Sequence, residues 1–239
     1  MLAEDVKPNR LYRAKQAAIH WLDDLKNDRL ALVVFAATAQ IQMPMTSDYG
    51  AARLYLESVD QLKPDLQGTS LNEALTAAYK AIPKEREADA AVILISDGED
   101  HEGKAMEMAA KMAEEGIEVH TLSVGLNQAV PIPDGKGYLK DEAGRMALTK
   151  PNKQMLAQLA DVGGGAFADD PHPEQGLNRI FAALEEKQRE SFSSEIKEEG
   201  REEHAGWFVA AALVLLCIEL FSKNTRKPQA KVWTWFGNG

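Results

Sequence analysis

Two hydrophobic rhythms alternate along the chain: short blocks that are apolar throughout, and longer blocks whose apolar residues return every three or four positions. Ala91–Ser96 (AVILIS) is a continuous, β-branched apolar run that breaks into Asp97-Gly98-Glu99-Asp100. Such a run predicts a strand buried on both faces, as inside a parallel sheet. Arg29–Ala36 (RLALVVFA) and Ile117–Val124 (IEVHTLSV) predict two further strands. Gln40–Met45 alternates polar and apolar residues, and its Pro44 suits an edge strand in a hairpin with 29–36. Ala166–Ala168 predicts a short last strand.

The helical blocks fall between these strands. Leu11, Ala14, Ala18, Trp21, Leu22 and Leu25 define one apolar face of a helix that Asn27-Asp28 stops. Ser47-Asp48 is expected to cap a helix reaching about Leu62, with Leu54, Leu56, Val59 and Leu62 inward. Further helices are expected over Leu71–Ile82, begun by Thr69 or Ser70, over about 103–115, closed by Gly116, and over Asn152–Val162. Residues 131–149 carry Pro131, Pro133, Asp134-Gly135 and Gly137 and predict a projecting hairpin. Strand and helix alternate throughout, so the expected fold class is α/β: a three-layer, doubly wound, mostly parallel sheet with helices on both faces.

The C-terminal third changes character. A long helix is predicted from Gly176 to about Glu203, increasingly charged after Leu184, and it reads as a stalk with a solvated face. Trp207–Phe221 follows as the longest apolar run, with Trp207 and Phe208 at one edge and Lys223, Arg226 and Lys227 at the other. It is short against the roughly 20 residues of a full span, yet no polar face interrupts Phe208–Ile218, so a membrane anchor is preferred over a buried amphipathic helix. Glu219 then sits at the interface near Lys223, or pairs with a partner helix. The expected layout is a domain over 1–184, a charged helical stalk over 185–205, a transmembrane helix over 206–222 and a basic, aromatic tail over 223–239. Lys223, Arg226, Lys227 and Lys231 place the tail in the cytoplasm and the domain on the periplasmic side of a bacterial inner membrane, although Met1–Asp5 opens no export signal.

A net charge of −10 provides no basic face for phosphates, so a nucleic-acid partner is not expected. The single cysteine, Cys217, rules out an intramolecular disulfide and a cysteine-based zinc site. No serine has a plausible histidine base, and His101 and His120 stand too far apart in sequence from other ligands to suggest a metal site. Carboxylates just past a parallel strand lie where open α/β sheets place their ligands. Asp97 is therefore the first candidate, with Thr69 and Ser70 as hydroxyls that could reach the same sheet edge. Oxygen donors of this kind suit a hard cation such as Mg²⁺. Plainer readings stand beside each: Asp97-Gly98 as a turn, Thr69 as a helix cap, and Glu99 and Asp100 as the acidic start of the next helix.

RLALVVFA (29–36), TSDY (46–49), QGTSL (67–71), ISDGEDHEG (95–103), 116–125 and 137–141, in this order, resemble von Willebrand factor A domains of bacterial membrane proteins, in particular the BatA/BatB group of aerotolerance operons. The resemblance covers about residues 1–200 and implies a metal-ion-dependent adhesion site. Such a site combines an Asp-x-Ser-x-Ser loop, a Thr from a second loop and an Asp from a third around Mg²⁺ or Mn²⁺. It would make Thr69 and Asp97 metal ligands, with Ser70, Glu99 and Asp100 as accessory residues. The Asp-x-Ser-x-Ser loop has no counterpart here, which implies a partial site, an absent central first strand and an N-terminally truncated chain.

The function the resemblance implies is a non-enzymatic, membrane-anchored protein-interaction module in stress tolerance (aerotolerance) or envelope complex assembly. Its implied partners are other von Willebrand factor A membrane proteins and a MoxR-type AAA+ ATPase. Two alternatives remain: a truncated product without independent metal binding, and a metal-dependent hydrolase using Asp97, Glu99 and Asp100.

Overall fold

The computed structural model describes residues 1–59, 69–85, 89–100, 103–134, 137–140 and 144–199. They divide into a unit over Met1–Glu186 and a second beginning at Lys187. The predicted transmembrane segment, Cys217, Glu219, His101, Leu62 and Gly68 lie outside the described residues.

Three parallel strands form the principal sheet. β3 (Ala90–Ser96) pairs with β4 (Ile117–Ser123), residue for residue from Ala90↔Ile117 to Ser96↔Ser123. β4 pairs in turn with β7 (Gly164–Asp169), giving the order β3-β4-β7. A separate antiparallel hairpin joins β1 (Leu30–Phe35) to β2 (Ala39–Thr46), as the alternation around Pro44 predicts. The expected ribbon is also present: β5 (Val130–Pro131) pairs with β6 (Leu148–Thr149), extended by bridges Pro133↔Tyr138 and Lys140↔Met146.

Six helices complete the described fold: α1 (Arg10–Trp21), α2 (Tyr49–Ser58), α3 (Leu71–Ala81), α4 (Ala105–Glu114), α5 (Lys153–Val162) and α6 (Pro173–Glu199). Four of these starts follow from side-chain caps that satisfy first-turn amides. Asn9 accepts from the Tyr12 amide, Asp48 from Ala51, Ser70 from Glu73 and Asn152 from Met155. Three apolar clusters hold the layers. Leu71, Ala74 and Leu75 of α3 pack with Leu94, Val119, Met112, Leu156 and Leu159 on one face. Ala14 and Ala17 of α1 join Leu122, Val124, Leu177 and Ile180 on the other. Ile19, Leu22 and Leu25 pack with Met43, Ala52 and Leu56, and Trp21 meets Phe181 edge-on at 5.8 Å.

Several elements differ from the periodicity. α1 stops at Trp21, so Leu22 and Leu25 reach the core from the turn beyond it; Ala17 and Ile19 join Ala14 on the buried face, Ala18 packs against it partly buried, and Leu11 is only half-buried. α2 ends at Ser58, with Val59 as its extended cap, instead of running on toward Leu62; Leu56 is inward but Leu54 is 67% exposed. β7 takes in Gly164 and Gly165, which read as a helix stop. An added Cβ on Gly165 would lie 2.4 Å from the Val119 carbonyl oxygen, so glycine is what lets this strand close on β4.

Truncating Leu75, which is wholly buried, is expected to cost about 2–5 kcal/mol, whereas Leu54→Ala should stay within about 0.5 kcal/mol. Urea unfolding of the two variants checks this, and equal losses would contradict the packing described.

Candidate functional site

The carboxyl end of β3 and the first residue of α1 meet in a buried ionic cluster. Arginine at a helix start opposes the helix dipole, so Arg10 needs carboxylates to hold it there. It is completely buried. Its Nε donates to Asp5 Oδ1 at 2.9 Å and one Nη to Asp5 Oδ2 at 3.0 Å, a bidentate pair. Its other Nη donates to Asp97 Oδ2 at 3.2 Å and to Thr149 Oγ1 at 3.3 Å. The Thr149 hydroxyl donates a hydrogen bond to Glu99 Oε1 at 2.6 Å, and the amino group of Met1 donates to Asp97 Oδ2 at 2.9 Å. One guanidinium thus ties together residues 1–10, the loop after β3 and the base of the ribbon.

Two glycines make room for this arrangement. Gly98 has φ +75°, and a Cβ there would lie 2.6 Å from the Asn152 carbonyl oxygen. The loop can therefore press against the start of α5, where the Asn152 amide donates to the Asp97 carbonyl oxygen at 2.7 Å. Gly125, at φ +120°, faces Arg10 directly: a Cβ would meet Nε at 2.4 Å.

Asp5 is the member whose titration is displaced. Burial alone pushes its carboxyl up, but the Arg10 hydrogen bond, the Leu126 amide and the Arg10 charge together hold it below 3.8. The Leu126 amide donates to Asp5 Oδ2 at 2.7 Å.

The predicted site residues separate into two groups. Asp97 is buried in the Arg10 cluster. Thr69 is half-buried at the start of α3, and it is Ser70, not Thr69, whose side chain caps that helix. The two loops do converge: Asp100 Oδ1 accepts from the Leu71 amide at 3.3 Å, and Asp100 Oδ2 from Gly103 at 3.0 Å. Glu99 and Asp100 do not start the next helix, since α4 begins at Ala105. Glu99 serves Thr149 and Asp100 serves the first amide of α3 instead. His120 is buried and structural, its Nδ1 accepting from the Ala166 amide at 2.9 Å and Nε2 lying 3.2 Å from Glu118.

Arg10, Asp5 and Thr149 escaped the sequence reading. A usable signal was present: an arginine in the first helical turn, five residues after an aspartate, predicts a compensating carboxylate. Nothing in the local pattern points to Thr149, which lies 139 residues from its arginine.

The residues present do not fit a divalent cation on Asp97 Oδ2. That oxygen already accepts from the Arg10 guanidinium, and an added ion would face this positive charge at short range. Asp97, Glu99 and Asp100 each have a different partner. Among the described residues, no three His, Cys, Asp or Glu side chains are placed to share an ion.

Comparison with known proteins gives this fold its family. The family model described as von Willebrand factor type A domain matches residues 1–99. An aerotolerance-related membrane protein from Bacteroides fragilis, solved with multiple mutations to serines, is similar with a TM-score of 0.73 and 33% identity, over 78% of this chain and 93% of that one. BatB from Bacteroides thetaiotaomicron, described as a conserved hypothetical protein, gives 0.69 and 35% over 76% and 93%. A UPF0353 protein from Mycolicibacterium vanbaalenii is 26% identical over 199 residues, covering 78% of this chain, which spans 56% of that relative's length. The chain belongs to the von Willebrand factor type A family, with an α/β fold and a parallel sheet. Within that family it is similar to BatB and to an aerotolerance-related membrane protein. Among the described residues, no helix is long and apolar enough to cross a membrane.

Replacing Arg10 with methionine should destabilise the domain by about 3–5 kcal/mol, because it leaves Asp5 and Asp97 buried without a guanidinium. Equilibrium denaturation measures the loss. The Asp5 carboxyl titrates lower folded than unfolded, so its contribution is complete above about pH 4 and disappears as pH falls through the folded value. Asp5→Asn should therefore unfold with a flatter stability profile between about pH 5 and 2 than the unaltered chain. Parallel profiles would show that Asp5 is not the group responsible.

Proposed function

We propose that this chain is a membrane-anchored protein-interaction module that recruits a protein partner through the loops at the carboxyl end of its sheet. The observation that carries this reading is the ribbon rooted in the Arg10 cluster. Thr149 lies within the cluster, while Leu148, Met146 and Tyr138 on the same ribbon are 61%, 57% and 52% exposed. Large apolar side chains presented together beside a fixed ionic base supply contact area on a rigid footing. Recruitment here runs through the ribbon and the acidic loop, with Glu99 and Asp100 beside Asp97, and without a bridging metal ion. Thr69 and Asp97 retain the positions of second- and third-loop ligands, and Asp97 contributes order instead of coordination. Ser70 and Asp100 contribute by fixing the start of α3.

The family resemblance, together with two structural relatives described as BatB and as an aerotolerance-related membrane protein, supports a role in stress tolerance or envelope complex assembly. Its partners in this reading are other von Willebrand factor A membrane proteins and a MoxR-type AAA+ ATPase. The apolar run 207–221 anchors the chain in a bacterial inner membrane, with the domain on the periplasmic side and residues 223–239 in the cytoplasm. The layout is a domain over 1–184, a stalk over 185–205 and an anchor over 206–222.

A photo-crosslinking residue at Leu148 should capture a membrane or ATPase partner in cells, and one at Leu54, on another element, should not. Equal capture from both positions would remove the ribbon from the interface. Calorimetric titration with Mg²⁺ or Mn²⁺ should show no micromolar binding. Micromolar affinity that Asp97→Ala abolishes would restore the metal to the mechanism.

A further inference from the structure

The ribbon is closed on itself by a ring of backbone hydrogen bonds. The Ile132 amide donates to the Ala147 carbonyl oxygen at 3.3 Å, the Ala147 amide to the Leu139 carbonyl oxygen at 2.8 Å, and the Leu139 amide back to the Ile132 carbonyl oxygen at 2.9 Å. All three residues are half-buried. Side chains alternate along an extended strand, so the sequence neighbours of these three point the other way. Leu148 stands opposite Pro131, Tyr138 opposite Pro133, and Met146 opposite Lys140. By this register Tyr138, Lys140, Met146 and Leu148 share the side of the ribbon turned from the ring. Met146 lies centrally on that side, two residues before Leu148 and across from Lys140, which follows Tyr138 by two.

Met146 is also unlike every other methionine of the chain. There are eight, all of them among the described residues. Met43 and Met112 are buried, five more are half-buried, and Met146 is 57% exposed. Of the half-buried ones, Met106, Met108 and Met155 pack against the α3 cluster. Exposure decides which thioether a dissolved two-electron oxidant reaches first, because the sulfur must present a lone pair to it.

The chemistry needs no cofactor. The sulfur lone pair takes the near oxygen of hydrogen peroxide as the O–O bond breaks, and the proton on that oxygen passes to the departing hydroxide, which leaves as water. Sulfur gives up two electrons and the peroxide gains them. A flexible apolar side chain becomes a polar one that accepts hydrogen bonds. The change falls between Tyr138 and Leu148, where an apolar contact excludes water and leaves the new acceptor unpaired. Met146 belongs to none of the three apolar clusters, so its oxidation alters this surface without opening the core.

We propose that Met146 is an oxidation site, and that its conversion to the sulfoxide by a peroxide releases the ribbon from its protein partner. The release rests on the recruiting role of the ribbon; the selectivity of oxidation does not.

Two measurements test the two halves. The full chain in mild detergent, treated with hydrogen peroxide and read by peptide mass spectrometry, should oxidise Met146 at least about fivefold faster than Met106, Met108 or Met155. Equal rates would overturn the site, whatever the ribbon contacts. In cells, the chain with a photo-crosslinking residue at Leu148 should lose captured partner by about tenfold after peroxide treatment. The same chain carrying Met146→Leu should hold its own untreated level. An equal fall in both would overturn the release and leave recruitment by the ribbon standing. Absence of capture from Leu148 in untreated cells would overturn recruitment and release together, with the selective oxidation of Met146 decided by the first measurement alone.

Discussion

A single buried guanidinium sets the conditions for the rest of this domain. Arg10 is held by Asp5, Asp97 and Thr149, which come from the opening segment, the loop after β3 and the base of the ribbon. Desolvating those charges is costly, and the arrangement is tolerable because the guanidinium and both carboxylates find hydrogen bonds. The cluster therefore constrains geometry more than it adds net stability. It fixes where the chain enters α1, how closely the β3 loop approaches α5, and where the ribbon leaves the body of the fold.

This constraint also bears on the relation to adhesion-type metal sites. In such a site a divalent ion gathers several loops around one charge. Here a covalently attached cation gathers loops in the corresponding region, and its geometry is planar and directional where an ion's would be spherical. A guanidinium cannot leave coordination positions open for a partner's carboxylate.

The sequence carried the main elements because their signals are local. Continuous apolar runs marked β3 and β4, polar alternation with Pro44 marked the hairpin, and Asp48 and Ser70 were among the residues read as helix starts. Asp97 was legible because it directly follows a continuous apolar run. Its actual partner was not, because Arg10 lies 87 positions away and lone charges carry no periodicity. Leu54 misled for a related reason: helical spacing identifies a face but does not say how wide a neighbouring layer will cover it. Glu99 and Asp100 were sited near a helix start as charge would suggest, but for Asp100 it is the start of α3, brought alongside by the fold.

Thr149 occupies two structures at once, as a ladder residue of the ribbon and as a member of the ionic cluster. The exposed Leu148 is therefore one peptide bond from a residue that is hydrogen-bonded to buried charge. Within the described residues the strand that carries Leu148 ends at Thr149, which is hydrogen-bonded to Glu99 and Arg10. The ribbon is in this sense a lever whose fulcrum is electrostatic: displacing its outer end would stretch hydrogen bonds whose loss in a dry interior is expensive, so contact at the surface is mechanically coupled to the order of the sheet's carboxyl edge.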